Sequence, residues 1–191
     1  TARLVIALGL GLTLFATLAT IQTSFNAAIE NTIPKRAPSF FALDIPKDEE
    51  ARFRSSVMAI APAADIATVP TLRGPVVALN DVRVADMKTI PEEAWFLRGD
   101  RGLTFASAIP EGSRITQGRW WPANYSGPPL VWIDERDAQA TGLKLGGRLT
   151  ISVLGVEIEA RIASFREINW DTLGFNFVLV FSPGTFEAAP F

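Results

Sequence analysis

The chain has neither cysteine nor histidine, and only one tyrosine and two methionines among its 191 residues. Without histidine or cysteine there is no Ser-His-Asp or Cys-His nucleophilic system, no His/Cys zinc or iron–sulfur site and no disulfide. Any enzyme here would have to work with carboxylates, hydroxyls and amines. A G-x-x-x-x-G-K-[ST] phosphate loop is also missing. The nearest run, Gly142 to Arg148 (GLKLGGR), lacks both the spacing and the hydroxyl after lysine. The sequence thus predicts a non-enzymatic protein that needs no cofactor or metal and does not hydrolyse ATP itself. An excess of one charge is absent too: 18 basic and 20 acidic side chains leave a net charge of −2. The arginines are spread among acids, which leaves no electrostatic footprint for nucleic acid.

What is present in excess lies at the N-terminus. No charged residue occurs between Arg3 and Glu30, and Leu4 to Ile21 reads LVIALGLGLTLFATLATI. At a rise of about 1.5 Å per residue such a helix comes close to a hydrocarbon core of about 30 Å, which predicts a transmembrane helix. A cleavable signal peptide has a shorter apolar core and more upstream positive charge. Gly9, Thr13 and Thr17 recur at i, i+4 and i+8, a small-residue face that would let a second membrane helix approach closely. The pattern continues beyond the apolar run. Phe25, Ile29 and Ile33 keep one stripe with polar residues elsewhere, so residues 1–33 read as a transmembrane helix prolonged into an amphipathic stalk. Pro34 should end it, and Pro34-Lys35-Arg36-Ala37-Pro38 reads as a short, stiff connector. Residues 38–191 are expected outside the cytoplasm.

The remainder reads as α+β. Phe40–Ile45 (FFALDI) has the composition of a strand, and Pro46 with the acids after it opens a helix whose apolar face is Ala51, Phe53, Val57 and Ile60. Asp65–Arg73 and Val76–Val84 are expected as two strands about the Gly74-Pro75 turn. From Asp86 to Pro129, glycines and prolines break the signal into short pieces. Leu130–Ile133 reads as a strand, and Asp134-Glu135-Arg136-Asp137 as the capped start of a helix ending at Thr141 or Gly142. A hairpin about Gly155 joins Leu149–Leu154 to Val156–Ala163, and FNFVLVF over 175–181 reads as a central strand.

Two carboxylate groupings invite a catalytic reading and have plainer ones. Helix capping accounts for Asp134, Glu135 and Asp137, and an exposed strand face accounts for Glu157 and Glu159. Trp120 and Trp121, in a proline-bounded loop, are candidate partner-contact residues, with one ring expected to pack inward.

The order of these pieces carries a resemblance. A membrane helix is followed by P-x-x-A-P-S-F-F-A-L-D-I (34–45) and G-R-W-W (118–121). Then come G-L-K-L-G-G-R-L-T (142–150), A-S-F-R-E-I-N-W-D (163–171) and F-N-F-V-L-V-F-S-P-G (175–184). This series resembles the FtsX-like permeases of the MacB superfamily of ABC transporters, in particular the YbbP-like members. The resemblance implies a periplasmic domain with a porter-like part, 38–90 and 160–191, and an inserted β-rich subdomain at about 91–159. It further implies a bacterial inner-membrane location, a separate ATPase subunit, contact with membrane lipid and homodimerisation of the full permease. Its substrate would be hydrophobic, lipidic or peptidic, and the remaining membrane helices would lie before Thr1 and after Phe191. The other reading of the same residues is a single-pass anchored periplasmic binding or assembly module without mechanical coupling.

Overall fold

The computed structural model describes residues 2–32, 40–110, 113–168 and 176–186, with side chains of 28–32 left out. The chain divides into two units, and among the described residues the first holds the N-terminal helix and Phe40 and the second holds the rest. The helix, α1, runs Ala2–Thr32 without interruption. Its part Ala2–Ala27 is long and apolar enough to cross a membrane, and none of it is buried. Helix polarity is removed from within. The hydroxyls of Thr13, Thr17, Thr20 and Thr23 donate to the carbonyls of Gly9, Thr13, Ala16 and Ala19 at 2.7–2.8 Å. Each threonine thereby shows its methyl outward and its hydroxyl to its own backbone, the arrangement a hydrocarbon solvent requires.

The second unit is α+β. A helix α2 (Glu50–Ile60) precedes strands β1 (Leu72–Gly74), β2 (Val76–Leu79) and β3 (Val82–Arg83). Next come β4 (Arg101–Phe105), β5 (Ser113–Gly118), β6 (Leu130–Asp134), α3 (Glu135–Thr141), β7 (Arg148–Val153), β8 (Val156–Ile168) and β9 (Leu179–Phe181). The strand order is β1-β4-β9-β6-β8-β7-β2-β3, with β5 added on β8. Strands from 38–90, from about 91–159 and from 160–191, the ranges assigned to a porter-like part and its insert, share this one sheet.

The two ends of that order are one piece of chain. Leu72–Gly74 pairs with β4, whereas Val76–Leu79, one residue later, pairs with β7 on the far side. Pro75 is the point of exchange. It has no N–H to give either neighbour, but its carbonyl accepts from Ser152 N at 3.0 Å. The sheet therefore closes on itself as a small barrel. A row of inward side chains follows the register around it: Leu72 opposite Leu103, Leu103 opposite Leu179, Leu179 opposite Ile133, and Ile133 opposite Phe165. All five belong to the main core with Leu149, Ile151 and Ile162. Alternation along each strand fills the barrel with branched apolar residues, as closure demands.

Several expected elements take this form. The β7–β8 hairpin turns at Leu154 and Gly155, both with positive φ (50° and 84°), as a two-residue turn with matching twist requires. Helix α3 is capped at its start by Asp134, whose carboxylate accepts from Arg136 N at 2.8 Å. It stops at Gly142 in the left-handed region. Of the run 175–181, expected as one central strand, Leu179–Phe181 forms β9, fully buried between β4 and β6, and 176–178 lie before it outside the ladder.

Other expectations are corrected. Phe40–Ile45 is no strand, and α2 buries none of its residues. The segments on either side of Gly74-Pro75 do not pair with each other. They are shorter than Asp65–Arg73 and Val76–Val84, because each finds its partner across the barrel. Among the described residues, the region from 86 to 129 contains two strands and one short 3-10 turn, Trp95–Leu97, with a second, Val84–Asp86, ending at its edge. Their hydrophobic periodicity is too brief to read. β8 runs on to Ile168 because β5 and β6 flank its second half.

Candidate functional site

A second, smaller core lies apart from the main one: Trp121, Trp132, Phe177 and Val180 are buried together, with Trp120, Tyr125 and Leu130 against them. Trp132 and Val180 occupy facing positions on β6 and β9, one residue off the inward row, so they belong to the barrel's outer face. The loop after β5 folds over them. Gly118 makes the turn possible. Its φ is +81°, and a Cβ there would sit 2.3 Å from the Ala163 carbonyl and 2.8 Å from Ser164 Cα. Trp120 and Trp121 then stack at 4.0 Å between ring centroids, and Trp120 meets Trp132 edge-on at 4.9 Å. Both indole N–H groups are spent internally, Trp120 on Ser107 O at 3.1 Å and Trp121 on Ala106 O at 2.8 Å. Trp121 is 3% exposed, whereas Trp120 is half-buried and keeps one edge toward solvent.

Beside this cluster lies a charged node that the sequence reading passed over. Arg166 is only 1% exposed, and its guanidinium carbon stands 4.8 Å from the Trp132 ring centroid. Its terminal nitrogen donates to the carbonyls of Phe177 and Val178, the latter at 3.1 Å, tying β8 to the chain entering β9. Asp134 is its register neighbour on β6, and Asp137, on the first turn of α3, is buried as well. Burial pulls the Arg166 guanidinium down to about 10, opposed by Asp134 and then Asp137. It stays charged at neutral pH. Burial likewise pushes the Asp137 carboxyl up to about 6, aided by Asp134 and opposed by Arg166, the Trp95 indole and Arg101. Arg166 Nε, Trp132 Nε1 and Ser164 Oγ are buried without a hydrogen-bond partner among the described residues. A charged residue inside the apolar alternation of β8 was the available signal, but only the β5, β6 and β9 neighbours make that position interior.

The other carboxylates have structural occupations. Glu157 pairs with Arg83 at 2.6 Å, and Glu159 lies 4.0 Å from Arg148, so each faces its own arginine rather than the other's carboxyl. Glu135 accepts from Gln117 at 2.7 Å, joining α3 to β5. Arg101 wraps the 95–98 turn, donating to the carbonyls of Trp95, Phe96 and Arg98 while lying over the Trp95 ring at 4.7 Å.

Gly9, Thr13 and Thr17 share one face of α1, exposed along its length, with nothing within 4 Å of a Cβ placed on Gly9. Phe25 is exposed on the same helix. Ile33 and the 34–38 connector lie outside the described residues, as does the side chain of Ile29.

No protein-family model matches the chain, and no solved structure matches it. Among curated proteins it is similar to YbbP, described as an uncharacterized ABC transporter permease, from Escherichia coli K12. The two are 24% identical over 184 residues, which is 96% of this chain and 22% of that relative. The likeness runs through both the apolar helix and the barrel, and the chain spans about a fifth of the relative's length.

Proposed function

We propose that the chain is a membrane-helix and periplasmic-domain portion of an ABC-type permease of the YbbP kind. The observation that carries this reading is the nearly end-to-end likeness to such a permease, joined to an N-terminal helix of membrane-crossing length. The chain is a non-enzymatic transport component on this reading, and the ATPase is a separate subunit. Motion driven at the cytoplasmic side travels along α1, whose Gly9, Thr13 and Thr17 face packs against another membrane helix. The stalk stripe Phe25, Ile29 and Ile33 rests on a partner surface, and the proline-bounded connector passes the displacement to the domain in the periplasm. The porter-like and inserted ranges act together there, with Trp120 and Trp121 at the partner or substrate side. Two full permeases pair in the inner membrane, and the cargo is hydrophobic, lipidic or peptidic.

The test uses the intact polypeptide in bacterial membranes. Solubilised in mild detergent, it should co-purify with an ATP-hydrolysing subunit. A flexible Gly-Ser insertion after Ile33 should lower transport-linked activity while leaving expression and folding unchanged, because the insert absorbs motion. Phe25→Asn combined with Ile29→Asn should act likewise. No ATPase partner, together with full activity of the insertion variant, would replace this reading with that of an anchored binding or assembly module.

A further inference from the structure

We propose that Trp132, Ser164 and Arg166 form a buried binding site for one small, neutral hydrogen-bond acceptor, a single water molecule. Unspent hydrogen-bonding capacity is concentrated in one part of the barrel. Among the described residues, Ser113 Oγ, Thr116 Oγ1, Trp132 Nε1, Ser164 Oγ and Arg166 Nε are buried without a partner, and every one of them lies on β5, β6 or β8. The last three are neighbours. Trp132 stands opposite Ser164 in the β6–β8 register, and Arg166, two residues along β8, belongs to the same face of the sheet. The Arg166 guanidinium carbon, to which Nε is bonded, lies 4.8 Å from the centre of the Trp132 ring. Trp132 and Ser164 are 0% exposed and Arg166 1%, so bulk solvent does not serve them.

Nor do the residues that enclose them. At Gly118 the loop after β5 comes down onto Ser164, so closely that a Cβ on the glycine would stand 3.0 Å from Ser164 Cβ. Trp120 and Trp121 then bring ring faces and N–H groups already given to Ser107 O and Ala106 O. The carbonyls of Phe177 and Val178 accept from the arginine's terminal nitrogen, not from Nε. A buried donor left unmade costs the desolvation of that group, and native folds normally meet it with protein or an internal water. The three atoms decide the class of occupant. An indole N–H and a guanidinium Nε–H only donate, so the occupant must accept twice, which excludes a metal ion. Charge argues against an anion, because Asp134 and Asp137 both act on Arg166 and leave the node without positive excess. Water fits. Its two lone pairs receive the Trp132 and Arg166 N–H groups and one of its protons goes to Ser164 Oγ, three bonds in all, the usual number for an internal water. So placed, it bridges β6 and β8 beneath the Trp120–Trp121 loop. The site does not depend on the permease reading.

A map of the intact polypeptide at about 2 Å, by crystallography or cryo-electron microscopy, tests it. One peak is expected within about 2.7–3.2 Å of both Trp132 Nε1 and Arg166 Nε. The same nitrogens bonded to protein atoms, with no peak between them, overturn the proposal. Crystals soaked in bromide separate water from a halide, and an anomalous peak at the site overturns the neutral occupant. Ser164→Ala supplies a second arm in solution, since it removes the hydroxyl that takes the water's proton. Its urea midpoint should fall below the parent's. In a dry site, deleting an orphaned hydroxyl from an apolar setting leaves the midpoint unchanged or raises it, and that result overturns the proposal.

Discussion

The Arg166 guanidinium lies over the face of Trp132 at 4.8 Å, on the outer side of the barrel, where the indole N–H and the arginine Nε both lack hydrogen-bond partners among the described residues. A buried cation over an aromatic ring, bonded to two carbonyls and with the charges of Asp134 and Asp137 in its field, is a joint. It ties β8 to β6 beside it and to the segment leading into β9. Removing the arginine would leave the Phe177 and Val178 carbonyls without this donor.

Arg166→Met should accordingly destabilise the chain by about 1–3 kcal/mol, the usual cost of leaving buried acceptors without their donor. Urea denaturation of the 191-residue chain in detergent, followed by circular dichroism, measures it. A loss within about 0.5 kcal/mol would assign the joint no structural weight.

Asp137 gives the fold a pH dependence of definite sign. Its carboxyl titrates near 6 in the folded chain against a usual 3.8, so the folded state binds the proton more tightly than the unfolded one. Stability from this group should fall as pH rises from about 4 to about 6 and level off above, a loss of at most about 3 kcal/mol. In Asp137→Asn that slope should vanish, leaving the variant more stable than the parent at pH 8 and closer to it at pH 4. Urea midpoints at both values decide the matter, and parallel profiles would contradict it.

The two tryptophans should differ in cost. Trp121→Ala removes a buried ring and orphans the Ala106 carbonyl, and about 3–5 kcal/mol is expected. Trp120→Ala vacates a half-exposed site and should cost about 1–2 kcal/mol. Chemical denaturation of each variant checks the order, and a reversed order would mean the loop is held from its outer side.

Barrel closure makes Gly74 sensitive. A Cβ there would stand 2.1 Å from the Ser152 carbonyl oxygen, backbone against backbone, at the place where the segment changes partners. Gly74→Ala should cost about 1–3 kcal/mol and speed amide exchange in β7 and β2. Gly155→Ala meets nothing within 4 Å and should leave β7 and β2 protection unchanged, although its positive φ brings a local cost.

Features that a short stretch of residues can decide alone were settled by the sequence. An uncharged run from Leu4 to Ile29 makes a helix of membrane length, because backbone polarity must be satisfied within the segment in an apolar solvent. Asp134 and Gly142 bracket α3 through their own side-chain and backbone geometry, and Leu154-Gly155 turns the hairpin by local φ preference. Tertiary structure decided what depends on partners distant in sequence. Phe40–Ile45 has a strand's composition and is no strand, since a strand exists only where an edge receives it. Leu72–Leu79 looks like half of a hairpin, but its two halves serve opposite sides of a closed sheet, which is a property of all the strands together. Arg166 reads in the sequence as one charge among many. Only the convergence of β5, β6 and β9 around it removes its water and makes Trp132, Asp134 and Asp137 its surroundings.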